Sequence, residues 1–148
     1  DVLMQNTNSP AVVQAAQEKG AMAFGWNSDM SKFGGKARLA AVNLNWGVIY
    51  KKTLDDVQAG TWKSGDIWWG VKEGAVNIDN FGPAVSADLK KLAEQRRDEI
   101  KAGKLHPFGG PIKDQSGKEV LASGKSYTDA ELKKMSFYVQ GVEGNIPK

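Results

Sequence analysis

Short apolar runs that stop abruptly at clusters of polar residues recur along this chain. Val2, Leu3 and Met4 read as a buried strand end, followed by Gln5, Asn6, Thr7 and Asn8. Ser9 then supplies a hydroxyl able to cap free backbone N–H groups, and Pro10 suits the first helical position. Val12, Val13, Ala16 and Gln17 follow at helical spacing, and Gly20 is placed to end the helix. Residues 21–24 form a second apolar strand, after which Gly25, Trp26, Asn27, Ser28 and Asp29 arrive together. A strand–helix–strand unit this short predicts parallel strands with a right-handed crossover. Both polar ends then lie on one sheet edge, with Asn6 and Thr7 beside Trp26, Asn27 and Asp29. In parallel α/β sheets that edge is where ligands sit.

The same grammar repeats. Residues 31–36 are expected to be a loop because of paired glycines, and residues 39–42 form a third buried strand ending at Asn43, Leu44, Asn45 and Trp46. Residues 46–59 read as a helix whose core face is Trp46, Ile49, Tyr50, Thr53, Leu54 and Val57, stopped by Gly60. Residues 66–79 alternate in patches and are expected to be extended, and residues 80–85 form a loop. Ser86 caps the longest helix, residues 87–102, with Leu89, Leu92, Ala93 and Ile100 as its apolar stripe. Its opposite face interleaves acids with bases and reads as solvated. Residues 111–113 and 118–121 are expected to pair as a β-hairpin, Thr128 and Glu131 to form a capping box for a helix over 129–135, and Phe137, Tyr138 and Val139 to dock an apolar patch.

Composition narrows the chemistry. The chain has 148 residues, long enough for one domain with a real core. A net charge of +3, spread along the chain without a basic block, argues against a nucleic-acid partner. With no cysteine there is neither a disulfide nor a thiolate metal site, and this suits an extracytoplasmic protein. No apolar run approaches the length of a membrane span. An opening directly in a strand-like run is expected of the later part of a longer protein. The single histidine, His106, precedes Pro107 in a loop and reads as an exposed loop residue, and no G-x-S-x-G elbow, H-E-x-x-H, P-loop or G-x-G-x-x-G motif occurs. No catalytic residue, metal or cofactor is assigned. Of the five tryptophans, Trp62, Trp68 and Trp69 read as core or rim residues. For Trp26 and Trp46, each at a predicted strand end beside Asn, ligand contact and packing are both open.

The stretches DVLMQNTNSPAVVQAAQEKG, FGWNSDM, NWG, TWKSGD, KEG, LHPFGGPIKDQSGKEV and MSFYVQGVEGNIP together resemble the basic membrane protein (BMP) family. These are substrate-binding lipoproteins of ABC transporters related to purine-nucleoside receptors. The resemblance covers essentially the whole chain and implies that it matches the C-terminal part of such a protein. The family's first lobe, signal peptide and lipid-anchored cysteine have no counterpart here. It implies the type I periplasmic-binding fold, an α/β architecture with a parallel sheet, flanking helices and, here, a C-terminal hairpin. Residues 1–25 and 61–148 would belong mainly to the second lobe, and residues 26–60 would cross to the first. It further implies a purine-like small ligand in an interlobe cleft, an ABC permease as partner, and a lipid-anchored place in the periplasm or cell envelope. The family often carries an aspartate that binds a ribose hydroxyl where this chain has Asn27, so a free purine base or another small polar ligand is the expectation. The expected ligand-binding set is Asn6, Thr7, Ser9, Trp26, Asn27, Asp29, Asn45 and Trp46, with no enzymatic activity.

Without the resemblance, the same strand edge would suit a small α/β enzyme, or the hairpin and the 137–139 patch would suit an interaction domain. Apolar surface left by a missing lobe would favour self-association.

Overall fold

The computed structural model describes residues 1–147 and divides the chain into two compact units, Asp1–Ala102 and Gly103–Lys148. In the first unit, strands β1 (Val2–Leu3), β2 (Met22–Asn27), β3 (Arg38–Leu44) and β4 (Val76–Asp79) form one sheet in that order. β1 and β2 are parallel, as are β2 and β3, whereas β4 runs antiparallel to β3, so the sheet is mixed. Helix α1 (Ala11–Glu18) links β1 to β2, the short α2 (Ser31–Gly34) precedes β3, and α3 (Trp46–Gln58) and α4 (Ala87–Lys101) follow β3 and β4. Residues 26–60 thus contribute the end of β2 and all of β3 to the same sheet that β1 opens, and α3 follows β3 directly.

The punctuation read from the sequence explains the element ends. Ser9 Oγ accepts the Ala11 amide at 3.3 Å, and Pro10 already has helical dihedrals of −74° and −8°. At Gly20, φ is 68°; its N–H bonds to Gln17 while Ala21 N–H reaches back to Ala16 at 2.8 Å, the two bonds of a Schellman motif. Gly60 and Thr61 repeat that pattern onto Val57 and Asp56. Ser86 Oγ accepts the Leu89 amide and caps α4.

The core is built from small side chains. Val13, Ala16, Ala23, Met30 and Ala37 form one buried cluster, and Ala40, Ala41 and Ala75 are also buried. Alanines let the α1 backbone approach β2 closely, but they bury little apolar area each. Several larger residues expected inside lie outside. Val2 and Leu3 are exposed because β1 is a two-residue edge strand. On α3, only Ile49 and Thr53 of the expected core face are half-buried, while Trp46, Tyr50, Leu54 and Val57 face solvent. Leu89 and Leu92 of α4 are exposed too.

Two local expectations are corrected. Residues 31–34 coil into α2, because the Asp29 carboxylate accepts both the Ser31 amide and the Ser31 hydroxyl at 3.0 Å. Only the last third of 66–79 is a strand. Gly74 takes a left-handed φ of 76°, and the Gly70 amide donates to Glu73 Oε2 at 3.0 Å, which bends 71–74 into a turn.

The second unit pairs β5 (Ile112–Lys113) with β6 (Glu119–Leu121) as an antiparallel hairpin, as expected. The Asp114 carboxylate organises its turn, accepting from Ser116 N, Ser116 Oγ and Lys118 N at 2.9, 2.6 and 3.1 Å. Helix α5 (Asp129–Leu132) carries the capping box read from the sequence: Thr128 Oγ1 accepts the Glu131 amide, and Glu131 accepts the Thr128 amide at 2.7 Å. The 137–139 patch is used inside the unit, with Phe137 against Tyr127 at 6.5 Å and Val139 paired to Asp114.

The loop after β4 passes so close to β3 that a Cβ at Gly82 would fall on the Arg38 carbonyl oxygen. Gly82→Ala is expected to destabilise the protein by about 1–3 kcal/mol. Gly70→Ala, where a Cβ meets nothing within 4 Å, is expected to change stability by less than about 0.5 kcal/mol. Urea midpoints of the two variants check this. In the second unit, Ser116 holds the Asp114 carboxyl below its ordinary value, and the Thr128 amide does the same for Glu131. A depressed carboxyl contributes stability that is present above its ordinary titration range and lost as pH falls through its folded value. Acid lability of the second unit is therefore expected to flatten in Glu131→Gln, read from amide exchange of α5 against pH.

Candidate ligand-binding edge

The parallel run of β1 to β3 brings three strand ends to one edge of the sheet. At the first end, Gln5 is committed to the fold: its Nε2 donates to the Phe24 carbonyl at 3.1 Å, and its Oε1 accepts the Thr7 hydroxyl at 2.7 Å. Asn6 and Thr7 are exposed beyond it, and Ser9 serves the start of α1.

At the second end, Trp26 and Asn27 part company. Trp26 pairs with Val42 and Asn27 with Asn43, and successive strand residues alternate between faces. Asn27 has a left-handed φ of 66°, a conformation that asparagine tolerates better than most residues. Asp29 lies past the strand, where its carboxylate caps α2 and stands 3.7 Å from the Arg38 guanidinium. Arg38 is 9% exposed, so Asp29 supplies a counter-charge to a buried cation.

At the third end, Asn45 Oδ1 accepts the Gly47 amide at 3.2 Å and caps α3. Trp46 opens that helix and stacks on Tyr50, ring centroids 6.4 Å apart. A cavity of about 200 Å³ beside it is lined by Leu44, Ile49, Ile67 and Trp69 among others.

The polar cluster with the fewest structural duties lies one step inside this edge, and it includes residues the sequence reading did not single out. Asn27, Asn43 and Asn77 are in register across β2, β3 and β4. Asp79 shares their face, two positions along β4 from Asn77. Its carboxylate accepts the Asn43 side-chain amide on one oxygen and the Asn77 amide on the other, the latter at 2.9 Å. The amide oxygens of Asn27 and Asn43 are both buried and have no hydrogen-bond partner. A buried acceptor without a donor costs about 1–3 kcal/mol. Two such acceptors stand in register on adjacent strands, at Asn27 and Asn43. A cavity of about 450 Å³ opens on Asn43, Asn77 and Asp79, with Arg97 and Lys101 of α4 across it. The available signal was the V-N-I-D run of residues 76–79, whose two polar residues at a spacing of two fall opposite Asn43 once β4 is paired with β3.

Directed acceptors thus stand near the strand edge of an α/β sheet, with the Trp46 and Tyr50 rings on the helix that follows β3. Residues 1–105 match the family described as ABC transporter substrate-binding protein PnrA-like, and the chain belongs to that family, which is not a family of enzymes. Over 148 residues it is 45% identical to a purine-binding protein of Brucella abortus (strain 2308), covering 100% of this chain and 42% of that protein. It is 31% identical over 147 residues to a putative ABC transporter glucose-binding protein of Haloferax volcanii, covering 99% of this chain and 35% of that one. The chain thus spans well under half the length of these two relatives. Its fold is similar to that of a transcriptional activator of the comK gene from Bacillus halodurans, with a TM-score of 0.64 and 20% identity over 72% of this chain and 38% of that one.

Asp79→Ala leaves the half-buried Asn43 and Asn77 side-chain amides without their acceptor. It is expected to lower stability by about 1–3 kcal/mol, measured by chemical unfolding, and Asp79→Asn is expected to recover part of that loss.

Proposed function

We propose that this chain forms one wall of the ligand site of an ABC importer's substrate-binding protein, and that the ligand is a free purine base or a close analogue. The observation that carries this is the pair of buried, unsatisfied amide oxygens of Asn27 and Asn43 beside the Asp79 carboxylate. Purine edges present N–H donors in a plane, which suits a row of acceptors across adjacent strands. The purine-binding relative supports the same class of ligand. Asn27, where an aspartate often stands in the family, favours a base over a nucleoside, because a neutral amide is a weaker partner for ribose hydroxyls than a carboxylate is.

In this reading the protein performs no chemistry. A second wall, supplied by a longer chain, closes over the ligand and provides the missing contacts. Asn6, Thr7 and Asn45 line the rim, and Trp46 offers a stacking face. A membrane permease receives the ligand, and the protein works in the periplasm or cell envelope, lipid-anchored in its intact form. No helix among the described residues is long and apolar enough to cross a membrane. The assignment of segments to lobes belongs to the same proposal. The shared sheet favours keeping residues 26–60 with residues 1–25.

Titration calorimetry of the full-length protein against adenine, guanine, adenosine and glucose tests the proposal. Saturable heat is expected with a free base, weaker with the nucleoside and absent with glucose. Asn43→Ala is expected to weaken base binding about 3- to 10-fold. Heat with glucose alone would move the reading to a sugar, the ligand in the other relative's name.

A further inference from the structure

The turn that follows β2 is held from two sides through one carboxylate. Asn27 ends the strand with its left-handed φ of 66°, a conformation that persists outside glycine only where the surroundings fix it. The chain then doubles back over its own strand. A Cβ on Gly25 would lie 3.4 Å from the Ser28 carbonyl oxygen and 3.5 Å from the Met30 Cβ. Asp29 sits in the middle of this reversal, with Oδ1 accepting the Ser31 amide and Oδ2 the Ser31 hydroxyl, each at 3.0 Å.

The second support is Arg38. Its Nη1 stands 3.7 Å from the same Oδ1 of Asp29, beyond hydrogen-bonding distance. Arg38 is buried, yet its Nε and Nη1 donate to nothing among the described residues. A buried arginine that serves the fold alone is expected to use its planar fork in hydrogen bonds. Arg38 instead acts on the turn as a charge, and the carboxylate it meets lies two residues from Asn27. Without that charge, Asp29, whose side chain is 44% exposed, is anchored through Ser31 only and the turn is free to swing outward.

We infer that Arg38 is a positioning residue of the ligand site. Through Asp29 it sets the turn over residues 27–31, and with it the place of the Asn27 side chain beside Asn43. The inference rests on the ligand reading proposed above. Because the contact is one of charge without a hydrogen bond, the charge at position 38 matters more than the guanidinium shape.

Titration of the full-length protein with adenine, together with side-chain amide NMR of the ligand-free protein, tests this. Arg38→Met is expected to weaken adenine binding about 3- to 10-fold and to shift the Asn27 side-chain amide signal while leaving that of Asn77 in place. Arg38→Gln carries the same expectation if Arg38→Met does not fold. Arg38→Lys keeps the charge and is expected to hold adenine within about 2-fold of the wild type. Added to Arg38→Met, Asp29→Ser keeps a capping oxygen for α2 and is expected to weaken binding by less than about 2-fold further, because the two residues act as one unit. A neutral residue at position 38 that lowers the melting temperature but leaves adenine affinity and the Asn27 signal unchanged would assign Arg38 to the fold alone and overturn the inference. So would losses from Arg38→Met and Asp29→Ser that multiply. Failure of the ligand reading looks different: neither adenine nor guanine then binds the wild-type protein, and this inference falls with it.

Discussion

The parallel ladder between β2 and β3 is the constraint on which the first unit depends. It sets Gly25 opposite Ala41 and Asn27 opposite Asn43, so one register fixes both the close-packed middle of the sheet and the polar row near its edge. A slip of one residue would turn that row to the other face and bring Trp26 and Val42 in its place. The bulge between Ala23 and Gly25 adjusts the ladder, so that Ala23 joins the cluster under α1 while Arg38 beside it meets Asp29. β4 then pairs antiparallel to β3 and brings Asn77 and Asp79 alongside.

That sheet is held mainly by small residues, and much follows from this. Six of the eight buried apolar residues of the core are alanines. Close backbone approach takes the place of large interlocking side chains, as where Gly34 leaves no room for a Cβ, which would sit 2.8 Å from the Val13 carbonyl oxygen. The larger apolar groups are left on the outer surfaces of α3 and α4. The second unit compensates differently, through side chains that satisfy backbone amides: Asp114 in its turn, Thr128 with Glu131 at α5, and Gln115 Nε2 donating to the Val142 and Gly144 carbonyls at 2.7 and 3.0 Å.

Signals that act over a few residues were legible in the sequence. Ser86, Thr128 with Glu131, Gly20 and Gly60 mark helix ends through local hydrogen bonds and dihedral freedom, and each does so in the structure. The strand–helix–strand unit implied parallel β1 and β2 for the same reason. What periodicity does not contain is whether anything stands against a face. It grouped Tyr50, Leu54 and Val57 correctly on one side of α3 yet placed that side in the core. The candidate site divides along the same line. Asn27 and Asn45 were visible as polar residues at strand ends, but Asn77 and Asp79 enter only through a long-range antiparallel pairing. Asp29 and Ser9, attractive as ligand groups in the sequence, have structural work as caps, and Asp29 also as the counter-charge to Arg38.

In the proposed function the family gives the class of activity and the polar row its chemistry: buried acceptors, one carboxylate fixed by two amides, and aromatic surface at the rim. The most direct test is the side-chain amide spectrum of the asparagines, followed by NMR while adenine is added. Saturable shifts are expected at Asn27, Asn43 and Asn77, with slowed solvent exchange of their amide protons. Shifts at exposed asparagines alone, or none at any asparagine under conditions where adenine binds, would contradict it.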